Sequence, residues 1–285
     1  MIQNYWRSMK NLTAHLFYQA SCSTPKGQAL LILRLRHQIP NLPMSPTKLL
    51  YLENFNLTEC EANVLDIFEE NDKAIIILDQ SCFYPQGGGQ PYDQGTIESK
   101  NAKFNVLEVR FVDGLVRHIG NFESGNFNKG EKVNCKVNKD RRSLNSKLHS
   151  AGHALDMAIE SLNLGWVPGK GYHFPDGPYV EYEGNLEGQD MEKLKSDLEN
   201  KCNGLINKDI ETSLKFMSKD QMKEVCHFVP DYLPEGKPAR VVFFANFGVP
   251  CGGTHVNNLS EIKSMIIRKI KQDGKNIKVG YDIAR

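Results

Sequence analysis

Acidic residues are missing from the first part of the chain, although the 285-residue sequence is close to neutral, with a formal net charge of +1. No Asp or Glu occurs before Glu53, and the rest of the chain holds 30 basic and 34 acidic residues, a net charge of −4. Recognition of a nucleic acid by global positive charge is therefore excluded, and such a partner would have to meet local basic clusters. The first 44 residues carry five basic ones: Arg7, Lys10, Lys26, Arg34 and Arg36.

Residues 1–44 are also rich in Ser, Gln and Asn, and Pro40 and Pro43 close the segment. A mitochondrial transit peptide has this composition. Two alternatives stay open: a disordered extension, or a start upstream of the true one, since Met44 would make a plausible beginning. We expect a cytoplasmic protein. A mitochondrial location is the alternative if residues 1–44 are a targeting segment.

Long apolar runs and paired cysteines are lacking as well. No stretch of about eighteen apolar residues occurs, so we expect no membrane-spanning helix. The seven cysteines are odd in number and scattered along a long chain. This usage favours a reducing compartment in which thiols are available to a metal.

Two histidines four residues apart lie within a helical pattern. Apolar residues recur at steps of three and four from Leu144 to Leu162, which predicts an amphipathic helix. His149 and His153 lie one above the other on it, and Cys251 and His255 follow about a hundred residues later in a Gly-rich loop. Together these four side chains make a complete N/S ligand set for Zn²⁺.

Other uses of these residues remain possible. The histidines could simply flank the apolar face of the helix. Asp156 and Glu160, on the same helix, could hydrogen-bond the metal ligands or serve in acid/base chemistry, or could be ordinary solvated carboxylates. Cys251 could be a nucleophile with His255 or His149 as its base. The metalloprotease pattern His-Glu-x-x-His is absent, because Ser150 occupies the position of the general base.

A run of three glycines, Gly87, Gly88 and Gly89, precedes Gln90. It is not a nucleotide-binding P-loop, because no Gly-Lys-Ser/Thr follows it. Considered alone, it favours a tight turn over a loop pressed against a substrate or a second domain.

The remaining pattern predicts strands up to residue 138 and mixed structure beyond it. Short apolar or alternating segments, with a hairpin at Asp113-Gly114, indicate a small barrel or sandwich. These strands are Ala74–Leu78, Phe104–Val109, Val112–Ile119 and Lys132–Val137. The later elements are a metal-binding helix after Asn138, a strand at Tyr179–Glu183, a helix from Met191 to Leu205, a strand from Ile210 to Phe216, a helix capped by Ser218 and Gln221, a strand at Arg240–Phe247, and a hairpin of Ile262–Ile270 with Ile277–Tyr281.

The order His149-x-x-x-His153 and Cys251-x-x-x-His255 resembles the editing domain shared by alanyl- and threonyl-tRNA synthetases. The run from Phe83 to Gly95 resembles the Gly-rich stretch of the free-standing alanyl-tRNA editing proteins of the AlaX type. The resemblance covers residues 45–285 and includes no class II aminoacylation region, which implies an editing factor acting in trans. It implies an α+β protein in which a small β-barrel-like N-terminal domain, residues 45–138, packs on an α/β zinc-containing editing domain, residues 139–285.

The resemblance further implies zinc-dependent hydrolysis of the ester between a wrong amino acid and alanine tRNA. The amino acid would be serine, with glycine as a second candidate. The glycines of the Gly87–Gly89 run are expected to bind substrate. Gln90 is a candidate catalytic residue, as are Lys170 and His173 in a segment where family members often carry a Thr or Gln. The alternatives are a non-catalytic zinc-stabilised tRNA-binding module and a zinc hydrolase of small esters.

The expected partner is tRNA(Ala) charged with serine or glycine, bound to a monomer or a weak dimer, and no membrane is expected. Two basic clusters could hold its phosphates, although exposed cations on helices and strands are also ordinary. One cluster lies near the start of the metal-binding helix: Lys139, Arg141, Arg142 and Lys147. The other lies in the closing hairpin: Lys263, Arg268, Lys269, Lys271, Lys275 and Lys278.

Overall fold

The computed structural model describes residues 45–233 and 235–284, so the predictions for residues 1–44 lie outside the described part. The described chain is a mixed α+β protein with a closed six-stranded barrel and three α-helices. Its first eight strands are β1 (Lys48–Leu49), β2 (Glu59–Glu70), β3 (Lys73–Leu78), β4 (Gln80–Ser81), β5 (Gly95–Glu98), β6 (Lys103–Val112), β7 (Leu115–Ser124) and β8 (Lys132–Val137).

The barrel closes in the order β2-β3-β7-β6-β5-β8. Its interior is filled by apolar side chains that alternate with outward-facing polar ones, as the pattern of β8 shows most clearly. The hairpin predicted at Asp113-Gly114 is confirmed, and both residues have the positive φ, 54° and 88°, that a two-residue hairpin loop requires. All four strands predicted before residue 138 are present. β3 and β6 are slightly longer than predicted and β8 has the predicted bounds, whereas the strand predicted from Val112 begins only at Leu115, because the turn at Asp113-Gly114 precedes it, and extends to Ser124.

The second part begins with a long helix and continues with two antiparallel sheets. Strand order is β14-β15-β10-β9 in the first sheet and β11-β12-β13 in the second. Its elements are α1 (Lys139–Ser161), β9 (Val167–Tyr172), β10 (Tyr179–Glu183), α2 (Met191–Ile206), β11 (Thr212–Met217), α3 (Lys219–Val225), β12 (Ala239–Phe244), β13 (Phe247–Pro250), β14 (Met265–Asp273) and β15 (Asn276–Ile283).

Local side-chain chemistry fixes where the helices begin. The side chain of Asn138 accepts a hydrogen bond from the backbone N–H of Arg141 and starts α1. Ser218 and Gln221 form the predicted capping box at the start of α3. The apolar stripe of α1 packs against α2 and the four-stranded sheet, which confirms the predicted face.

Two boundaries differ from the prediction. The expected single strand Arg240–Phe247 is two strands, β12 and β13, joined by a turn at Ala245, where φ is 55°. Apolar residues continue on both sides of this turn and no Gly or Pro marks it, so the pattern did not reveal it. Ile262 ends a short 3-10 helix that begins at Leu259, and β14 starts only at Met265.

None of the helices in residues 45–233 and 235–284 is long and apolar enough to cross a membrane.

Candidate metal centre

The four predicted ligands come together at one point of the second part. His149 and His153 project from α1, Cys251 and His255 come from the loop after β13, and the four ligand atoms lie within 4.8 Å of one another. Nε2 of His153 and Nε2 of His255 are buried without a hydrogen-bond partner, while Nε2 of His149 lies 3.5 Å from Sγ of Cys251. Buried nitrogen and sulfur atoms that converge on one point, two of them without a hydrogen-bond partner, fit a metal ion that takes nitrogen and sulfur ligands.

The other ring nitrogen of each histidine is bonded elsewhere. Nδ1–H of His153 donates to Oδ2 of Asp156 at 3.1 Å, and Nδ1 of His255 lies 3.4 Å from Oγ of Ser150. Asp156 is held in turn by the Tyr182 hydroxyl, which donates to Oδ1 at 2.7 Å. Partners at Nδ1 orient the imidazoles and leave Nε2 for a metal, as in known zinc sites.

Gln90 connects the barrel to this cluster. Its Oε1 accepts from Nδ1–H of His149 at 2.8 Å and from the backbone N–H of Thr254 at 2.9 Å. Its Nε2 donates to Oγ1 of Thr254 at 2.9 Å. The side chain is fully buried and does not line the cavity. Gln90 therefore contacts a candidate metal ligand rather than the cavity, and the catalytic role expected from the sequence stays a prediction.

The protonation of the cluster follows from its burial and its charges. Burial holds the pKa of His149 and of His255 well below the ordinary value of 6.5, so both imidazoles are neutral. Burial also opposes a charge on His153, but Asp156 and Cys251 outweigh it and raise its pKa to about 10. Burial would raise the pKa of Cys251, yet His153 lowers it overall. A metal would take over the role of the proton on His153.

The glycine run is both a tight turn and a contact between the two parts of the chain. Gly87 and Gln90 exchange two backbone hydrogen bonds across the turn, of 2.9 and 3.3 Å. Gly89 has φ 75°, and a Cβ there would overlap the carbonyl oxygen of Gly171. Its own carbonyl accepts from the backbone N–H of His173 at 2.8 Å. Glycine is required at residue 89 because this approach leaves no room for a side chain.

His173 lies directly against the metal cluster. Its ring stacks on His149 with centroids 4.5 Å apart, and burial lowers its pKa to about 3, so it is neutral. The Tyr281 hydroxyl donates to the carbonyl of Leu148 and therefore accepts from Nδ1–H of His173 at 2.7 Å. Nε2 of His173 is thus the nitrogen with a free lone pair.

A cavity of about 500 Å³ opens over the cluster. The candidate ligands His149, His153 and Cys251 form one side of it, and His173 also lines it. Lys170, from the edge strand β9, is exposed and lines the cavity too. Of the glycine run, Gly88 and Gly89 line it and Gly87 does not. The remaining wall is largely apolar and contains His227, Phe228, Pro230, Tyr232 and Phe247.

The basic cluster near the start of α1 is only partly available to a partner. Arg142 is 3% exposed, and its guanidinium is bonded to Asp93 and to the carbonyl of Cys82. The expectation that Arg142 contacts tRNA is therefore corrected, because no phosphate can reach it. Arg141 donates to the carbonyl of Tyr92 and is half-buried, as is Lys147, while Lys139 pairs with Glu59 on the surface.

The basic cluster of the closing hairpin lies mostly on the surface. Lys269 and Lys271 are exposed, and Arg268 donates to the carbonyls of Tyr281 and Pro178 at 2.7 and 2.8 Å. Within this cluster Lys275 pairs with Glu183, and Lys278 pairs with Glu181.

The sequence did not single out Arg240, which holds the metal loop. It is 4% exposed, and its Nε donates to the carbonyl of Cys251 at 2.8 Å. Nη1 donates to the carbonyl of Tyr51 at 3.2 Å, and Nη2 bonds to the carbonyl of Gly253. The arginine therefore fixes the Cys251 loop against the segment before the barrel. Its only signal was a charged residue at the start of a strongly apolar strand.

Two family matches cover separate parts of the chain. Residues 38–141 match the family described as tRNA synthetases class II (A); of these, the described residues 45–141 contain the barrel and the first residues of α1. Residues 239–278 match the family described as the threonyl and alanyl tRNA synthetase second additional domain. These residues include two of the candidate ligands, Cys251 and His255.

Individual relatives extend these matches along the chain. It is 31% identical to the alanyl-tRNA editing protein AlaX-M of Methanosarcina barkeri over 239 residues, which cover 81% of this chain and 96% of that protein. It is 33% identical to the alanine–tRNA ligase of Methanobrevibacter smithii over 242 residues, but these cover only 26% of the ligase. With AlaX-L of Pyrococcus horikoshii it shares 25% identity over 229 residues, which cover 55% of that protein. The chain belongs to the family of alanyl-tRNA editing proteins.

Proposed function

We propose that this chain is an aminoacyl-tRNA hydrolase that clears tRNA(Ala) carrying a wrong amino acid, with serine as the main substrate and glycine as the second. The observation that carries the proposal is the cluster of three imidazoles and one thiol that opens into a cavity. The relatives of the chain support the same function, since AlaX-M and AlaX-L are named alanyl-tRNA editing proteins.

The chemistry needs little from the protein beyond positioning. An aminoacyl ester is already activated, so a held water and recognition of the carbonyl oxygen suffice. His149, His153, Cys251 and His255 would hold Zn²⁺, which supplies a Lewis acid at the reacting centre. His173 can accept a hydrogen bond at Nε2 from the substrate or the water, because its Nδ1–H is used by Tyr281.

Other side chains serve binding. Gly88 and Gly89 line the cavity, and the backbone of Gly88, where a Cβ would meet only the Tyr84 hydroxyl at 3.8 Å, lets a ligand approach closely. Lys170 is available for a phosphate or the substrate carbonyl. Lys139, Arg141, Lys147, Lys269 and Lys271 are proposed to meet the tRNA backbone, so binding should weaken as salt rises.

Deacylation of purified Ser-tRNA(Ala) tests the proposal. The wild type is expected to release serine from Ser-tRNA(Ala) much faster than alanine from Ala-tRNA(Ala), and Cys251→Ala should fall to the uncatalysed rate with a loss of bound zinc. Cys226→Ala is the matched control, since Cys226 is partly buried and lies outside the candidate ligand set. Background rates for both wild type and Cys251→Ala would overturn the proposal. Turnover of small esters without tRNA would instead indicate a general zinc hydrolase. Binding of zinc and tRNA without any turnover would indicate a non-catalytic binding module.

A further inference from the structure

The segment that follows α3 presents alternate side chains to two different places. Val229 and Leu233 point into a small core with Met222 and Val241. Phe228, Pro230 and Tyr232, which alternate with them, line the cavity over the metal cluster. The segment is therefore anchored by one set of side chains and offers the other set to the cavity.

The anchoring extends beyond the apolar contacts. Nζ of Lys219 donates to the carbonyl of Asp231 at 3.1 Å and pairs with Glu235 at 3.0 Å. His227 pairs with Glu160 of α1 at 2.7 Å. These contacts lie on both sides of Phe228 and Tyr232 and tie the segment to α1 and α3.

The two aromatic side chains remain unusually open for residues in a concave wall. Phe228 is 38% exposed and Tyr232 is 60% exposed, although both line the same cavity as His149 and Cys251. An exposed aromatic pair in a cavity indicates a ligand with a planar, weakly polar face. The polar side of the cavity, by contrast, suits an ester carbonyl and an amino acid. The site therefore has two chemically different halves.

We propose that Phe228 and Tyr232 stack against the adenine base of the terminal nucleoside of the charged tRNA. The inference rests on the proposed function, because every tRNA carries its amino acid as an ester on the ribose of a terminal adenosine. With that ester carbonyl at the metal cluster, the base must lie in the same cavity, beyond the ribose. The volume of about 500 Å³ lies in the range of sites that hold whole small-molecule ligands.

Stacking on an aromatic side chain makes the base matter for binding. Removing one stacking partner weakens binding of a nucleotide by about tenfold or more. Adenine, as a purine, offers a larger face than cytosine. The wall should therefore prefer a terminal adenosine, and that preference should depend on the two rings rather than on the metal ligands.

The experiment measures equilibrium binding by calorimetry, with the zinc-loaded full chain and no hydrolysis. The probes are the 3′-serylamide of 3′-amino-3′-deoxyadenosine and its cytidine counterpart. We expect the wild type to bind the adenosine probe more tightly than the cytidine probe, and the loss of both rings to weaken binding of the adenosine probe by about tenfold or more. The double variant Phe228→Leu/Tyr232→Leu should lose that preference, and Phe228→Tyr/Tyr232→Phe should restore it. Val225→Ala, a change at an exposed residue that does not line the cavity, should leave it unchanged.

Equal binding of the two probes by the wild type would overturn the inference, as would a leucine variant that keeps the preference. Because the probes cannot be hydrolysed, this result is separate from the deacylation assay. A base preference without deacylation supports the aromatic subsite and refutes only the proposed hydrolysis. Deacylation without a base preference supports the hydrolysis and refutes only the subsite.

Discussion

Gln90 controls the orientation of a metal ligand from the other part of the chain. Its amide oxygen is the acceptor for Nδ1–H of His149 and for the backbone N–H of Thr254, and the side chain is fully buried. Gln90→Ala should therefore lower zinc affinity by about 10- to 100-fold, because the imidazole loses its partner. Competition with a chromogenic chelator measures this directly.

Gln86→Ala is the matched control for that change. Gln86 lies in the same loop, is half-buried and does not line the cavity, so its removal should leave zinc affinity unchanged. Equal zinc affinities for Gln90→Ala and the wild type would show that the hydrogen bond to His149 does not hold the ligand.

The four residues of the candidate metal cluster were predictable one by one, while the residues that position them were not. His149 and His153 reveal themselves by helical spacing, and Cys251 with His255 by a short Gly-rich segment. Arg142 has the same charge as an exposed surface arginine, and only the fold shows that its partner is Asp93, 49 positions away. A local pattern carries no information about such a distant contact.

His118 is a buried histidine of the barrel, and its protonation should make the stability of the protein depend on pH. It lies on β7, where Nδ1–H donates to the carbonyl of Ile76 at 3.0 Å and Nε2 accepts from the Ser81 hydroxyl at 2.8 Å. Burial lowers its pKa from the ordinary 6.5 to about 4. The hydrogen bond from the Ser81 hydroxyl requires an unprotonated Nε2, so protonation of the ring breaks that bond and places a charge in a buried position.

The sign of the pH dependence follows from this shift. Between about pH 6.5 and pH 4 the unfolded chain takes up a proton that the folded barrel refuses, so stability falls as the pH falls through that window. The loss is on the order of 3 kcal/mol. Urea unfolding of the wild type and of His118→Gln at pH 7.5, 5.5 and 4.5 measures it. The metal-site histidines contribute equally to both proteins, so the difference between the curves isolates His118. Parallel curves would contradict this account.

Strands were predictable from the sequence where apolar residues dominate or turn residues mark the ends. The buried run of β3 and the Asp113-Gly114 turn carry such signals. β2 was missed because the alternation of polar and apolar residues from Glu59 to Val64 is interrupted at the register shift between Val64 and Asp66, and β9 because it contains Pro168 and two glycines. Pro168 is tolerated because β9 is the edge strand of its sheet, which is a property of the assembled sheet alone.

At the scale of the whole molecule, the two parts meet around the glycine run and the metal cluster. The division into domains at residues 45–138 and 139–285 stays a prediction. The contacts between these ranges are nevertheless specific: Gln90 reaches His149, and Asp93 reaches Arg142. Both partners in the first range follow the run Gly87–Gly89, so one loop of the barrel side contacts α1 at two points.

Among these contacts, loss of the buried pair of Arg142 and Asp93 should lower the free energy of unfolding most. The Asp93 side chain is fully buried and accepts from the backbone N–H of Tyr84 at 2.7 Å, while Arg142 also donates to the carbonyls of Phe55 and Cys82 at 2.9 and 2.7 Å. Replacing the arginine leaves an uncompensated charge, which costs about 3–5 kcal/mol. Arg142→Met should therefore lower the free energy of unfolding by about that amount.

Arg110→Met is the control, because Arg110 forms an ion pair with Glu108 but is 41% exposed, and such pairs contribute about 1 kcal/mol or less. The double variant Arg142→Met/Asp93→Asn should recover part of the loss, since the unpaired carboxylate is then gone. Zinc affinity should fall in Arg142→Met and not in Arg110→Met, because displacement of Asp93 moves the loop that carries Gln90. If denaturant unfolding gave equal losses for the two arginine variants and unchanged zinc affinity, the loop would be held by other contacts and the barrel would not align the metal centre through this pair.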